Sequence, residues 1–159
     1  MKKGFIVICI SVIMSQLFTS CTNKKEVEYK EFYSQIIGFS QDRDNYKAIE
    51  NDSILMVDKT EYTKFIDKYF TMRKLSIEPP NTEKAVLFLQ IPSDSDIVPC
   101  YTINSITVRN KTLIVNLEKS SEAIVDGETV MNWKWVMLIE LDKSYLKDDM
   151  KIVVNKNKS

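Results

Sequence analysis

The sequence predicts an α+β fold: a mainly antiparallel β-sheet or small sandwich of about six strands, with one amphipathic helix packed on a face. One segment after Asp58 places large apolar side chains at helical spacing. The other apolar segments alternate with period two or form short apolar runs, which is typical of strands. The chain has 159 residues, 44% hydrophobic and 28% charged. These values favour one globular domain over a disordered chain.

The helix is predicted from a stripe of five side chains at positions i, i+3, i+4, i+7 and i+8. They are Tyr62, Phe65, Ile66, Tyr69 and Phe70. Asp58 or Thr60 is placed to cap the first turn, and Glu61 follows Asp58 by three residues, as in a capping box. The helix must end before Pro79 and Pro80, which cannot donate backbone hydrogen bonds.

The segments before the helix and directly after it are interpreted as strands. Residues 27–37 mix aromatic and charged side chains and are expected to form a strand, followed by a polar loop over 38–45. Residues 54–57 form a short apolar run that predicts a buried strand. Residues 85–91 are apolar on both parities, as expected for a central strand covered on two sides.

A hairpin is predicted from residues 101–109 and 112–118, which two turn residues separate. The apolar parity shifts inside the first arm, which indicates a bulge near Asn104 and Ser105. Residues 120–128 are expected to form a loop that turns at Asp126 and Gly127. A last short strand is predicted over 152–154, and residues 156–159 are expected to fray.

The longest alternation in the chain predicts a strand with one face in the core. Its members are Met131, Trp133, Trp135, Met137, Ile139 and Leu141. This stripe favours core packing for the two tryptophans. The alternative is that Trp133 and Trp135 form a stacking platform for a sugar or a peptide. Together with Tyr101 they are the candidate ligand or partner surface.

The first 21 residues have the layout of a signal peptide. Lys2 and Lys3 precede an apolar run over residues 5–14, and small or polar side chains follow. The run is shorter than the roughly 20 residues that a membrane-spanning helix needs. We therefore expect a cleaved export signal over residues 1–20.

The end of this segment, Leu17-Phe18-Thr19-Ser20-Cys21, resembles the lipobox of bacterial lipoproteins. The resemblance implies that the Cys21 thiol is lipidated and becomes the first residue. It also implies a location in the bacterial cell envelope, on the extracytoplasmic side of a membrane. Two acyl chains on one residue are enough for stable anchoring. We expect a tether over residues 21–27 and a single domain over 28–155.

Charge and composition exclude several functional classes. The chain has 22 basic and 22 acidic side chains, and losing Lys2 and Lys3 with the signal leaves a charge of about −2. A nucleic-acid partner is not expected at this charge. There is no His, which excludes Ser-His-Asp and Cys-His nucleophiles and His-containing zinc sites. After maturation Cys100 is the one unmodified Cys, so no intramolecular disulfide is expected.

No catalytic, cofactor-binding or metal-binding residue is predicted. The oxygen-rich segments 42–45 and 93–96 lack the spacing of an EF-hand loop and are interpreted as solvated turns. Cys100 has no neighbouring Cys or His in the sequence that would activate it, and is interpreted as an unreactive thiol at a strand edge.

A second resemblance covers residues 59–118. The order of an amphipathic helix, an apolar strand and a hairpin that begins near Tyr101 is similar to the C-terminal domain of PrcB-type bacterial lipoproteins, which stabilise a surface protease. Tyr101 matches the tyrosine of the family's Thr-Gly-Gly-Tyr motif, whereas Val98-Pro99-Cys100 replace the first three residues. The resemblance implies a protein-binding role and assigns no site residues.

The function expected from these observations is that of a non-catalytic binding or accessory module, held on the membrane by its N-terminal lipid and acting on an envelope protein. The alternatives are a small envelope enzyme that uses carboxylates, and a carrier of a small ligand or metal.

Overall fold

The computed structural model describes residues 24–39, 49–70, 83–93, 95–125, 132–147 and 149–157. The elements are β1 Lys24–Glu26, β2 Tyr29–Phe39, β3 Ser53–Met56, α1 Lys59–Tyr69, β4 Lys84–Pro92, β5 Ile97–Arg109, β6 Thr112–Ile124, β7 Asn132–Asp142, a 3-10 turn Lys143–Tyr145 and β8 Lys151–Asn157. This is an α+β sandwich with one helix in the described ranges, as predicted. It has eight strands rather than six.

The strands form two four-stranded sheets. The hairpin sheet has the order β1-β5-β6-β8, and the central sheet has the order β2-β7-β4-β3. Every neighbouring pair is antiparallel except β6 and β8, which run parallel. The mainly antiparallel character expected from the sequence is therefore confirmed.

One core lies between the two sheets. Its buried members are Val27, Leu87, Leu89, Ile91, Ile106, Val108, Leu113, Val115, Leu117, Met137, Ile139 and Leu141. The β7 alternation therefore points into the sandwich from Met137 onwards, as its period predicts. Met131, the first member of that stripe, lies outside the described residues.

A second core lies between the central sheet and α1. Tyr62, Phe65 and Ile66 of the helix, with its C-terminal cap Phe70, pack against β4 and β7. The residues that they face are Val86 and Phe88 of β4 and Val136 and Leu138 of β7. The Phe88 ring centroid lies 4.9 Å from that of Phe65 and 6.4 Å from that of Phe70. The prediction that residues 85–91 are covered on both faces is confirmed.

The helix begins with the predicted cap. The Asp58 carboxylate accepts a hydrogen bond from the Glu61 backbone N–H at 2.9 Å, and the Glu61 carboxylate accepts one from the Val57 N–H at 2.9 Å. The reciprocal bond of the capping box thus goes to the residue before the cap rather than to the cap itself. Pro79 and Pro80 lie outside the described residues.

The hairpin is longer than the sequence indicated. The predicted loop over 120–128 is wrong for residues 120–124, because Ile97 to Cys100 pair with them and extend both arms. The predicted bulge is confirmed as a register shift between Ile103 and Ser105, and a second shift separates Cys100 from Tyr101. Gly38 and Phe39, expected in a loop, instead end β2 opposite β7.

Both ends of the domain are more ordered than expected. Residues 24–26, assigned to the tether, form β1 and pair with β5. Val27 is 1% exposed, and its N–H donates to the Ile106 carbonyl at 2.9 Å. Residues 156 and 157, expected to fray, pair with Leu117 and Glu118. The first described strand therefore begins three residues after Cys21.

Truncation of Phe88 tests the two-sided burial of the central sheet. Phe88→Ala removes a fully buried ring that bridges the sheet and α1, so we expect the free energy of unfolding to fall by about 3–5 kcal/mol. Ile124→Ala is the control, because Ile124 is 84% exposed and its loss should cost under about 0.5 kcal/mol. Urea unfolding of both variants measures the difference, and equal losses would contradict this core assignment.

Candidate functional site

A change of polarity along β6 and β8 opens one end of the sandwich. The inward positions of β6 carry apolar side chains up to Leu117 and then Lys119, and those of β8 pass from Val154 to Lys156. Lysine is almost never fully buried unless it is paired. The two sheets therefore stop packing against each other beyond Leu117.

The space left between the sheets is a cleft of about 750 Å³, here called the open-end cleft. It is lined by Pro92, Ser93, Ser95, Ile97, Pro99, Tyr101, Lys119, Glu122, Lys156 and Asn157. Its β5 wall is apolar, and Ile97 is 46% exposed there. The volume lies in the range of pockets that hold small ligands or peptide side chains.

The charged side chains of the cleft lie on β6 and β8. Lys119 forms an ion pair with Glu122, and both side chains are partly exposed. Solvent-exposed ion pairs of this kind contribute about 0–1 kcal/mol to stability, so this pair is too weak to keep the cleft closed. Lys156 lies in the same lining, which leaves two ammonium groups against one carboxylate. The cleft therefore favours a ligand with an apolar part and a negative or carbonyl-rich part.

The connection from β4 to β5 forms a fixed rim. The Ser93 N–H donates to the Trp133 carbonyl at 3.0 Å, and the Ser93 hydroxyl lies 2.8 Å from the Ile97 carbonyl oxygen. The Val125 N–H donates to the Asp96 carbonyl at 2.9 Å and closes the end of the hairpin. Serine side chains that bond local backbone are what the turn interpretation of 93–96 predicts. Residue 94 and the segment 42–45 lie outside the described residues.

The three residues of the predicted surface have different positions. Tyr101 lines the cleft and also packs against the inter-sheet core. Trp135 is half-buried on the same core, and its ring N–H donates to the Tyr101 carbonyl at 3.1 Å. Trp133 is half-buried one step nearer the open end and belongs to neither core cluster of the described residues. Tyr101 thus forms part of the cleft wall, and Trp135 binds the backbone of that wall from the core side.

Other reactive groups lie away from the cleft lining. The Cys100 thiol is buried and lies 3.8 Å from the Val98 carbonyl oxygen. Burial, with a smaller effect of the Glu140 carboxylate, raises the pKa of Tyr62 on the helix side of the central sheet. Burial lowers the pKa of Lys134, whose ammonium lies 5.4 Å from the Phe39 ring centroid. All three are interpreted as structural.

Two searches of the described ranges gave negative results. They hold no group of three or more His, Cys, Asp or Glu side chains with the proximity of metal ligands. They also hold no helix of the length and apolarity that crossing a membrane requires.

Sequence reasoning missed Lys119, Glu122 and Lys156 as cleft residues. The signal was present for Lys119 and Lys156, because each continues an alternation whose earlier members are apolar. Glu122 has the other parity in the sequence and comes opposite Pro99 through the register shift between Cys100 and Tyr101. A charge at an inward position marks the end of a core. What the pattern could not reveal is that the ends of β6 and β8 meet, since that depends on their parallel pairing.

No protein-family model, curated protein or solved structure matches this chain. The similarity of residues 59–118 to the PrcB-type domain stays a prediction.

Replacing Trp135 separates the stability that its ring packing contributes from the stability that its hydrogen bond contributes. Trp135→Phe keeps an aromatic ring on the core but leaves the Tyr101 carbonyl without its side-chain donor, so we expect a loss of about 1–2 kcal/mol in the free energy of unfolding. Trp133→Phe is the matched control and should cost less than half of this. Thermal unfolding of both variants is the measurement, and equal costs would show that the hydrogen bond does not matter.

Proposed function

We propose that this protein is a lipid-anchored bacterial cell-envelope protein that acts as a non-catalytic binding or accessory module through its open-end cleft. The observation that carries the proposal is the spacing at the N-terminus. The signal-like segment ends at Cys21, and β1 begins at Lys24. Three residues reach at most about 10 Å, so a lipid on Cys21 would hold the folded domain against the membrane surface.

The position of the cleft supports a role in reaching a partner. Lys24 pairs with Arg109 at one end of β5, whereas Ile97 and the cleft lie at the other end. The 13 residues of β5 span about 40 Å at the rise of a β-strand. A domain anchored at Cys21 would therefore present the cleft away from the lipid, where another envelope protein has access to it.

The edge of the hairpin sheet supports recognition of an extended peptide. β8 ends opposite Glu118, while β6 continues to Ile124. In the part of the chain that the structure describes, no strand pairs with this side of β6 beyond Glu118. A partner strand could add there through backbone hydrogen bonds while its side chains enter the cleft. The two lysines of the lining favour a partner segment with acidic residues.

Substitution of the proposed lipidation site tests the anchor. Cells that produce the Cys21→Ser variant should incorporate no labelled fatty acid into this protein, because the modified thiol is gone. The parent protein, labelled in parallel, provides the reference. Equal labelling of both would remove the anchor from the proposal.

Site-specific photo-crosslinking in cells tests the cleft. A photoreactive residue at Lys119 should capture an envelope protein, whereas the same residue at Lys64, an exposed position on α1, should not. Glu substitution of Lys156 should reduce the yield of the adduct several-fold if acidic segments are recognised. Adducts of equal yield at both positions would contradict the cleft assignment. Turnover of a small substrate that Glu122→Gln abolishes would instead favour the enzyme alternative.

A further inference from the structure

Basic side chains are concentrated at the end of the sandwich where the chain enters the fold. This basic end consists of Lys24, Lys25, Arg109, Lys111, Lys143, Lys147 and Lys151. β1 and the turn of the hairpin bring the first four together, and the Lys151 N–H donates to the Lys111 carbonyl at 2.9 Å. The mature chain carries about −2 in total, so this end is a local concentration of positive charge.

Three of these cations lie in one row across the hairpin sheet. Lys24 is directly opposite Arg109, and Arg109 and Lys151 are both opposite Thr112 on its two sides. Like charges directly opposite each other on neighbouring strands are destabilising. An anion on this surface would relieve that repulsion.

Beside this row is a cleft of about 550 Å³, here called the lysine cleft. It is lined by Lys24, Lys25, Val108, Asn110, Ser144, Tyr145 and Lys147. The Lys25 ammonium lies 4.3 Å from the centre of the Tyr145 ring, which holds it at the cleft wall. Three ammonium groups together with amide and hydroxyl donors form a set that suits the oxygens of a phosphate.

The carboxylates near the basic end lie outside this lining. Asp142 accepts hydrogen bonds from the Ser144 N–H at 2.9 Å and from Lys84 at 3.3 Å. Glu26 and Glu28 line a separate hollow on another side of Tyr145, and Asp149 lines a groove toward α1. No carboxylate is among the described residues that line the lysine cleft, and the Asp142 carboxylate contacts the lining only through Ser144.

We infer that the lysine cleft binds the phosphate of anionic phospholipid headgroups in the membrane that carries the Cys21 anchor. The inference rests on the proposed function for the position of that membrane. Lys24 lies three residues from Cys21, so the cleft would lie at the depth of the headgroups. Acyl chains and a basic patch are complementary membrane signals. The contact would fix the orientation of the domain on the membrane.

Lysine labelling on vesicles tests this inference. The protein is produced in its processed form and incorporated into vesicles of phosphatidylcholine, with or without phosphatidylglycerol. An amine-reactive reagent then reports the exposure of each lysine by mass spectrometry. We expect labelling of Lys24, Lys25 and Lys147 to fall at least about threefold with phosphatidylglycerol, and this protection to disappear at 1 M salt, where the screening length is about 3 Å. Lys59 and Lys64 on α1 should not change.

A soluble anion distinguishes the two possible sources of phosphate. Inorganic phosphate at millimolar concentration is added to the pure phosphatidylcholine vesicles. We expect little protection of the three cleft lysines there, because one free ion lacks the high local concentration of a headgroup layer. Protection equal to that on phosphatidylglycerol would overturn the membrane assignment in favour of a free anion.

A triple variant separates this inference from the anchor. Flotation with phosphatidylcholine vesicles reports the lipid on Cys21. If the parent floats but phosphatidylglycerol does not protect the three cleft lysines, only the headgroup-binding role of the lysine cleft is overturned. If the parent does not float with phosphatidylcholine, the anchor is contradicted, and the cleft is then tested by flotation with phosphatidylglycerol vesicles. Binding to phosphatidylglycerol vesicles should be lost in the triple variant of the cleft, Lys24→Gln, Lys25→Gln, Lys147→Gln. It should be present in the parent and in a control triple variant of α1, Lys59→Gln, Lys64→Gln, Lys68→Gln. Its absence from the parent would refute the inference.

Discussion

The burial of β4 and β7 on both faces determines the architecture. Their odd positions, such as Leu87 and Met137, lie in the inter-sheet core, and their even positions, such as Phe88 and Leu138, lie under α1. An apolar strand cannot leave either face in water without losing roughly 25 cal/mol for each Å² left exposed. A second sheet on one side and a helix on the other meet this requirement together. The three layers, which are the hairpin sheet, the central sheet and α1, follow from this requirement. The aromatic stripe of α1 covers the helix side of the central sheet.

The inward face of the hairpin sheet is apolar, and that face ends before the strands do. Its opposite face carries polar side chains that bond to each other, since the Asn116 amide donates to Ser105 and accepts from Asn155, both at 2.9 Å. Such a face is stable in water. The inward face becomes charged at Lys119 and Lys156, and there the sandwich opens. The same alternation of side chains therefore builds the core and sets the position of the candidate site.

The periodic parts of the fold could be predicted from sequence, and the parts that depend on distant pairing could not. The helix with its Asp58 cap, the two-sided strand β4 and the bulge near Ser105 each have a local cause, and the structure contains all three. The second arm of the hairpin was predicted too short because Asp126 and Gly127 indicated a loop over 120–128, whereas the partner segment Ile97–Cys100 lies 24 residues or so earlier in the chain. The cleft required both the hairpin extension and the β6–β8 pairing, so Tyr101 was its one member named in advance.

If the domain is held at a membrane as proposed, the distribution of its charge matters more than the sum. The proposed processed chain, without Lys2 and Lys3, would carry a net charge of about −2, which spread evenly would repel an anionic surface weakly. Electrostatic attraction is screened over about 8–10 Å at physiological salt, however, so a membrane surface at the proposed position would interact only with the side chains at the basic end. The Glu122 carboxylate near the far end of β5 lies several screening lengths away. A lipid at Cys21 alone would not fix the orientation of the domain, and the basic end would select the one orientation in which the open-end cleft faces away from the bilayer.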